Sequence, residues 1–289
     1  MILITGANGN LGSSVVAQLE THLSKEKFIV TSSNEDGVKT LIEKGYNARQ
    51  ANFSDVNSLS TAFDGVHKVL LISTMEQNRL EQHKNVIDAA KNAGVKHIVY
   101  TGIAIKDIQT SAVKELMISH FETEDYLKKS GLDYTILRNT MYADALTQIL
   151  GPNALNQPIN LPAGNGKVPF ALRREMGEAT ANLLVQNGHE NKTYNITGSH
   201  SYDFSEIASA LSEITQQKIE FNDIDEEQLL STLQNIGFPD FLIYLHAGTI
   251  KDIKLEQYES HDNTLEQLLG RPSSSLNEFL KELFQNQNN

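Results

Sequence analysis

Three evenly spaced glycines open this chain and constrain its fold more than any other feature. Residues 1–4 are apolar, and the glycines then recur at every third position, at Gly6, Gly9 and Gly12. An amphipathic stretch overlaps the last glycine, and its apolar helical face carries Leu11, Val15, Val16 and Leu19. This order predicts a short buried strand, a tight turn and a helix.

A glycine turn between a strand and a helix brings backbone N–H groups and the positive end of the helix dipole close to a phosphate. Gly6 permits the turn, Gly9 lets a pyrophosphate approach, and Gly12 lets the helix pack on the strand. The spacing is G-x-x-G-x-x-G, not the G-x-G-x-x-G of ordinary dehydrogenases. We predict a dinucleotide-binding turn, with a purely structural turn as the alternative. The expected contacts are Gly6, Asn8, Gly9, Asn10, Leu11 and Gly12.

Apolar runs and amphipathic stretches alternate through the first half of the chain. The predicted strands are residues 1–4, 28–32, 46–51, 68–73, 97–101 and 134–138. The predicted helices between them cover residues 38–44, 56–63, 80–93 and 114–129. This alternation predicts an α/β fold with a doubly wound parallel sheet of the Rossmann type.

The pattern changes after residue 139, where prolines and glycines interrupt the chain. We predict a Rossmann domain over residues 1–139 and a smaller α+β substrate-side lobe over residues 140–289. A strand near 192–197 is expected to return to the main sheet. Helices are expected near residues 173–186, 204–215, 226–235 and 276–284. The Asn- and Gln-rich tail from Gln285 is expected to be frayed.

Composition narrows the class of function. The 289 residues include no cysteine, which excludes disulfides and thiolate chemistry. Nine histidines show no pair with metal-ligand spacing, and a net charge of −12 argues against nucleic-acid binding. No apolar run approaches the roughly 18 residues that a membrane span needs. We expect a cytoplasmic protein with a small-molecule partner and no metal, nucleic-acid or membrane partner. A homodimer is one arrangement that the sequence leaves open.

Several segments follow one another in a distinctive order. They are TGANGNLG at 5–12, LLIST at 70–74, QHKNVI at 82–87, HFETE at 120–124, YTILRN at 134–139, AGNGK at 163–167 and LLGRP at 268–272. Together they resemble the NmrA-like group of atypical short-chain dehydrogenases, and within it the type 2 NADPH-dependent quinone oxidoreductases. The resemblance implies a protein that binds NADP, with NAD as the other option, and transfers hydride to a quinone-like acceptor. It places the site between the sheet and the small lobe.

The catalytic pair of ordinary short-chain dehydrogenases is absent. Their Tyr-x-x-x-Lys motif lets a lysine lower the tyrosine pKa, but no tyrosine here has Lys four residues later. When this segment is aligned with the family at Glu124, the resemblance places His120 at the position of the motif lysine and Leu116 at the position of the motif tyrosine. Hydride transfer to a quinone depends less on a protein proton donor than carbonyl reduction by ordinary short-chain dehydrogenases does. His120 is a candidate to donate a hydrogen bond or a proton to the quinone oxygen. The alternatives are that it fills the helix face or binds the cofactor ribose.

Residues after the second strand bear on cofactor choice. An Arg there would favour NADP, whereas an acidic residue would favour NAD. Ser32, Ser33 and Asn34 can donate hydrogen bonds to a 2′-phosphate but carry no positive charge, and two acidic residues follow them. We therefore expect NADP with weak discrimination from NAD, and we expect Ser32→Arg to raise the preference for NADPH.

Other candidates lie at the ends of predicted strands, where open parallel sheets bind ligands. The third strand ends at Asn52 and Phe53, which could border the adenine, and the fourth ends at Leu71, Ile72 and Ser73. The fifth ends at Tyr100, Thr101 and Gly102, and the sixth is followed by Asn139, Met141 and Tyr142, expected to face the nicotinamide. Asn139 and Tyr142 join His120 as candidates beside the acceptor.

Three functions follow from these observations. The first is an NAD(P)H-dependent oxidoreductase that reduces a quinone-like acceptor. The second is a non-catalytic NAD(P)-sensing regulator, which the resemblance allows and the missing Tyr/Lys pair favours. The third, a protein like the nucleoside-diphosphate-sugar epimerases, is disfavoured because it lacks the residues for proton transfer.

Overall fold

Parallel strands form the centre of the computed structural model, which describes residues 1–260 and 262–285. The strands are β1 (Ile2–Ile4), β2 (Phe28–Ser32), β3 (Ala48–Gln50), β4 (Lys68–Ile72), β5 (His97–Ile103), β6 (Asp133–Asn139), β7 (Ile159–Asn160), β8 (Lys192–Ile196) and β9 (Phe221–Asn222). Seven of them form one sheet in the order β3-β2-β1-β4-β5-β6-β8, and all of its pairings are parallel. The predicted doubly wound parallel fold is confirmed.

Helices connect these strands. They are α1 (Asn10–His22), α2 (Glu35–Glu43), α3 (Val56–Ala62), α4 (Arg79–Asn92), α5 (Lys114–Lys129), α6 (Leu146–Ile149), α7 (Arg173–Leu184), α8 (Phe204–Thr215), α9 (Glu226–Asn235), α10 (Asp240–Lys254), α11 (Thr264–Leu269) and α12 (Leu276–Gln285). Among the described residues, none of these helices has the length and apolar character to span a bilayer. The predicted fraying after Gln285 concerns residues 286–289, which lie outside the described residues.

Strand alternation divides the sheet core into two faces. Leu70 points to the face covered by α1 and α7, whereas its neighbour Leu71 points to the face covered by α3, α4 and α5. Both side chains are fully buried. The strand order reverses at β1, whose neighbours are β2 and β4. The carboxyl ends of β1 and β4 therefore form the crevice at which open parallel sheets bind ligands.

The second half of the chain completes the first. β8 pairs with β6, so the strand predicted near 192–197 does lie in the main sheet. Helix α7 packs closely on α1, since a Cβ added at Gly177 would lie 2.5 Å from the Cβ of Ser14. A separate core fills the lobe, and β7 and β9 form a two-stranded sheet beside it. The domain boundary at residue 139 stays a prediction.

Several helices differ from the sequence expectation. Helix α2 begins at Glu35, three residues earlier than predicted, because the Asn34 side chain accepts a hydrogen bond from the Gly37 amide at 2.8 Å and caps the helix. Helices α10 and α11 were not predicted at all.

Candidate functional site

The turn between β1 and α1 has the geometry that its glycines predict. Gly6 adopts a φ of +60°, which favours glycine, and the Gly9 amide donates to the Gly6 carbonyl at 2.9 Å. A Cβ at Gly12 would lie 2.1 Å from the Gly6 oxygen, so only glycine lets α1 pack this closely on the turn. Gly9 is the N-cap of α1, and the first turn of that helix has neither a side-chain cap nor an acidic residue. The positive end of the helix dipole is therefore not neutralised locally.

A cleft of about 680 Å³ lies at the carboxyl edge of the sheet. Its lining includes many of the predicted cofactor contacts: Gly6, Asn8, Gly9, Ser32, Ser33, Asn34, Asn52, Phe53, Ile72 and Ser73. The sequence analysis missed the other lining residues, which are Thr31, Ala51, Thr74, Glu76 and Gln82. The structure thus brings the glycine turn that follows β1 together with the ends of β2, β3 and β4.

The remaining predicted cofactor contacts do not line this cleft. Leu11 and Leu71 are buried in the core, and Asn10 and Gly12 lie in the first turn of α1. Thr101 is also buried, and its hydroxyl accepts a hydrogen bond from the Ser73 amide at 3.0 Å. Tyr100, Gly102 and Met141 lie away from the cleft lining as well. Their roles stay predictions.

Side chains of α4 hold the cleft walls in place. The Thr74 hydroxyl donates to the Gln82 side chain at 3.1 Å, and Gln82 donates to the Ser54 hydroxyl at 3.3 Å. Asn85 donates to the Phe53 carbonyl at 3.0 Å. One helix therefore joins the segment after β3 to the segment after β4.

Asn139 and Tyr142 lie beyond the sixth strand, outside the cleft lining. The Asn139 amide donates to the Tyr142 hydroxyl at 3.3 Å, and the Arg173 guanidinium lies 4.5 Å from the centre of the Tyr142 ring. Burial raises the pKa of Tyr142. The Asn139 Oδ1 atom is buried and has no hydrogen-bond partner among the residues that the structure describes. A buried acceptor without a partner is costly to keep.

His120 is buried behind the sheet, where its Nδ1 lies 2.8 Å from the Tyr100 hydroxyl. Burial, with Arg79 and His83 adding smaller effects, holds the pKa of His120 well below its usual value. The imidazole is therefore neutral near pH 7, and the proposed role of His120 as a proton donor to the acceptor stays a prediction. A hydrogen-bonding role stays a prediction.

Buried neutral histidines should make the protein sensitive to acid. Burial lowers the pKa of His83 to about 3, with Arg79 contributing, and burial lowers those of His120 and His97. Below about pH 6.5 the unfolded chain takes up protons that the folded chain does not, so this stability is full above pH 6.5 and is lost as the pH falls. Between pH 7.5 and 5.5 the free energy of unfolding should drop by roughly 1.4 kcal/mol in total for each such histidine. Urea denaturation between pH 7.5 and 5.5 measures this slope.

A pair of variants checks the assignment of this slope to buried histidines. His83→Gln, which cannot take up a proton, should flatten the pH dependence. His200→Gln, at an exposed position, should leave it unchanged. Equal slopes in both variants would contradict the assignment.

Ser32, at the end of the cleft near β2, has too little room for an added arginine. Ser32 is only 8% exposed, and a Cβ at Gly37 would lie 2.0 Å from its Oγ, so the side chain packs against α2. Ser33 is exposed and lines the cleft. The expectation for Ser32→Arg is therefore corrected to Ser33→Arg. Among the described residues that line the cleft, Glu76 alone is charged.

The parallel sheet, the glycine turn and the crevice at the strand ends define a Rossmann-type protein. The sequence profile of the NmrA-like family matches residues 1–278. The chain belongs to the NmrA-like family.

Relatives and solved structures cover nearly the whole chain. Quinone oxidoreductase 2 of Escherichia coli (strain K12) is 33% identical to this protein over 98% of this chain and 99% of its own length. The crystal structure of the NADPH-dependent quinone oxidoreductase from Escherichia coli complexed with NADPH has a TM-score of 0.90 at 33% identity, over 98% of this chain and 100% of that one. Triphenylmethane reductase from Citrobacter sp. complexed with NADP(H) has a TM-score of 0.90 at 31% identity, with the same coverage.

Proposed function

We propose that this protein is an NAD(P)H-dependent oxidoreductase that reduces a quinone-like acceptor. The observation that carries the proposal is the close match, over 98% of the chain, to a quinone oxidoreductase complexed with NADPH. The cleft supports it independently, because its lining joins the glycine turn to the strand ends. Enzyme function is favoured over a sensor because the relatives at 33% and 31% identity are named as an oxidoreductase and a reductase.

The residues of the cleft fit a dinucleotide. The uncapped N-terminus of α1 at Gly9 suits a pyrophosphate, and Asn52 and Phe53 line the end expected to take the adenine. When bound, the reduced nicotinamide supplies the hydride. Asn139 and Tyr142, which are joined by a hydrogen bond, are the candidates to position the acceptor.

The proton balance of this reaction makes few demands on the protein. A quinone that accepts a hydride gains one hydrogen and two electrons and becomes a hydroquinone monoanion. That anion then takes one proton from water. His120 is neutral and Tyr100 is held protonated, since burial raises the tyrosine pKa. The chain's contribution is therefore to orient the acceptor and to stabilise the anion.

We further propose that the site discriminates weakly between NADPH and NADH. Near Ser33 the cleft lining offers hydroxyl and amide groups but no cation, and Glu35 and Asp36 are exposed in the next turn. Arg49 on β3 does not supply this cation, because its guanidinium donates to the carbonyls of Ala62 and Asp64, each at 2.7 Å. A 2′-phosphate therefore gains hydrogen bonds from neutral donors but no ion pair with a cationic side chain.

Ser33→Arg should raise the preference for NADPH over NADH by about tenfold or more, because it adds a charge-assisted contact to the 2′-phosphate. Fluorescence titration of both reduced cofactors measures the two dissociation constants. Ser33→Gln is the uncharged control and should change the ratio little. A wild-type preference above about a thousandfold, which exceeds a single charge-assisted bond, would show that a basic partner acts from outside the cleft lining.

Steady-state oxidation of NADPH and NADH with a panel of quinones tests the proposed function. Turnover of at least one quinone is expected. Tight cofactor binding with no turnover of any acceptor would overturn the proposal and favour a dinucleotide sensor. The homodimer stays a prediction, which sedimentation of the purified protein would check.

A further inference from the structure

Arg79, the first residue of α4, is a buried cation beside the cleft. The residue has no exposed surface. Its Nε donates to the Thr74 carbonyl at 2.5 Å, and its Nη1 donates to the Leu116 carbonyl and the Ser119 hydroxyl, each at 2.9 Å. Its Nη2 lies 3.6 Å from the Met75 sulfur. Because Thr74 lines the cleft, the guanidinium is in direct contact with the cleft wall.

The charge of Arg79 is not neutralised by a carboxylate. Each of its hydrogen-bond partners is a neutral group, and no Asp or Glu in residues 1–260 and 262–285 forms an ion pair with it. Arg138, by contrast, binds Glu124 through two hydrogen bonds of 2.8 and 2.6 Å. A buried cation without a counter-ion is expensive to keep. A neutral side chain could donate hydrogen bonds to the same carbonyls without the desolvation free energy of a buried charge. The positive charge of Arg79 therefore needs an explanation of its own.

The location of Arg79 suggests what the charge does. Its guanidinium donates to the carbonyl of Leu116. Leu116 occupies the position at which ordinary short-chain dehydrogenases have the tyrosine of the Tyr-x-x-x-Lys motif. Its charge also acts on His120, at the lysine position, where it helps to keep the imidazole neutral. The chain therefore lacks a lysine at that position but has a cation from another helix close to it.

We propose that Arg79 is a positioning residue whose uncompensated positive charge, held at the cleft wall through Thr74, stabilises the negative charge on the reduced acceptor. This inference rests on the proposed function, because the hydroquinone monoanion is the species that gains from the charge. Its field is effective because the surroundings are buried and poorly screened. The same guanidinium also fixes the Thr74–Met75 segment, so a test must separate its charge from its anchoring role.

Ser119→Asp and Ser119→Asn form a pair that makes this separation. Both place a longer polar side chain where Nη1 of Arg79 now binds a hydroxyl, and they differ in charge alone. Aspartate would neutralise Arg79 while anchoring it more firmly. If the charge assists the reaction, kcat of the Asp variant should be about tenfold or more below that of the Asn variant. If Arg79 only anchors the wall, the Asp variant should match or exceed the Asn variant, and the inference is wrong.

A spectroscopic readout adds a test that does not depend on turnover. 4-Nitrophenol, bound with NADP⁺ in the site, reports its ionisation by visible absorbance, and its phenolate mimics the anionic product. Its apparent pKa should be about one unit higher in the Asp variant than in the Asn variant, a tenfold loss of preference for phenolate. Equal values in the two variants would refute the electrostatic role even if the rates differ.

Arg79→Lys and Arg79→Met provide the second comparison if Ser119→Asp does not fold. Lysine keeps the charge and methionine removes it, so the phenolate preference should survive in the first and fall in the second. A retained preference in Arg79→Met would overturn the inference. Wild-type protein that reduces no quinone would instead refute the proposed function, so the two failures are distinguishable.

Discussion

Gly9→Asp is expected to weaken dinucleotide binding by at least a hundredfold, because it places a carboxylate where a pyrophosphate would approach the start of α1. The fold should survive. Gly9 has a φ of −77° and is the N-cap of α1, a position at which aspartate is among the preferred residues. The new side chain would also accept hydrogen bonds from the helix amides that the phosphate needs. Titration of NADPH fluorescence measures the loss.

Gly9→Asn is the matched control for the charge. It has nearly the same shape and also caps helices well, but it adds no negative charge. Its binding should therefore fall between that of the wild type and that of Gly9→Asp. Unchanged NADPH affinity in Gly9→Asp would place the cofactor site elsewhere in the molecule.

Gly12→Ala should destabilise the protein by about 2 kcal/mol or more, since the new methyl group would be forced against the turn backbone. The Cβ would meet the Gly6 oxygen at 2.1 Å and the Gly6 carbonyl carbon at 2.8 Å, and neither atom can move without distorting the turn. Helix propensity alone predicts the opposite sign, a gain of about 1 kcal/mol. Urea denaturation followed by circular dichroism gives the difference in unfolding free energy.

Ser13→Ala, at the next position of α1, controls for the general effect of alanine in this turn of the helix. Ser13 is exposed, and its hydroxyl only donates to the Asn10 carbonyl at 3.1 Å. Its replacement should change stability by less than about 0.5 kcal/mol. If Gly12→Ala is as stable as Ser13→Ala, the close approach of α1 to the turn is not a packing constraint.

Periodicity located most elements of this fold. The bounds of β2, α5, α8 and α9 agree with the predicted ranges, because β2 is a short apolar run and the apolar residues of the three helices recur with a clear period. Helix α10 was missed because its sequence, DFLIYLHAGTIKDIK, is apolar on several sides in its first half and does not show one polar face. Such a segment packs by tertiary contacts that a short sequence window does not contain.

The cleft was predicted less completely than the fold. The glycine turn and strand ends follow from general rules for parallel sheets. Glu76 lies between β4 and α4, outside the segments that carry the resemblance. Thr74 and Gln82 lie within two of those segments, LLIST and QHKNVI, but nothing in either segment shows that these side chains face a cleft. The choice of Ser33 over Ser32 as the site for an added arginine has a similar cause. Both residues line the cleft, but only the packing of Gly37 against the Ser32 side chain shows that Ser32 has little room for a larger one. The burial of Arg79 likewise has no local signal in the sequence.

The pairing of β8 with β6 has a consequence for synthesis on the ribosome. When the first 139 residues have emerged, β6 is an open edge, and the face of α1 that receives Gly177 is uncovered. Unpaired edges and uncovered packing surfaces attract other chains. The nascent protein must therefore extend past residue 196 before its phosphate-binding turn gains final support, and a polypeptide stopped at residue 139 should aggregate rather than form a free-standing nucleotide-binding unit.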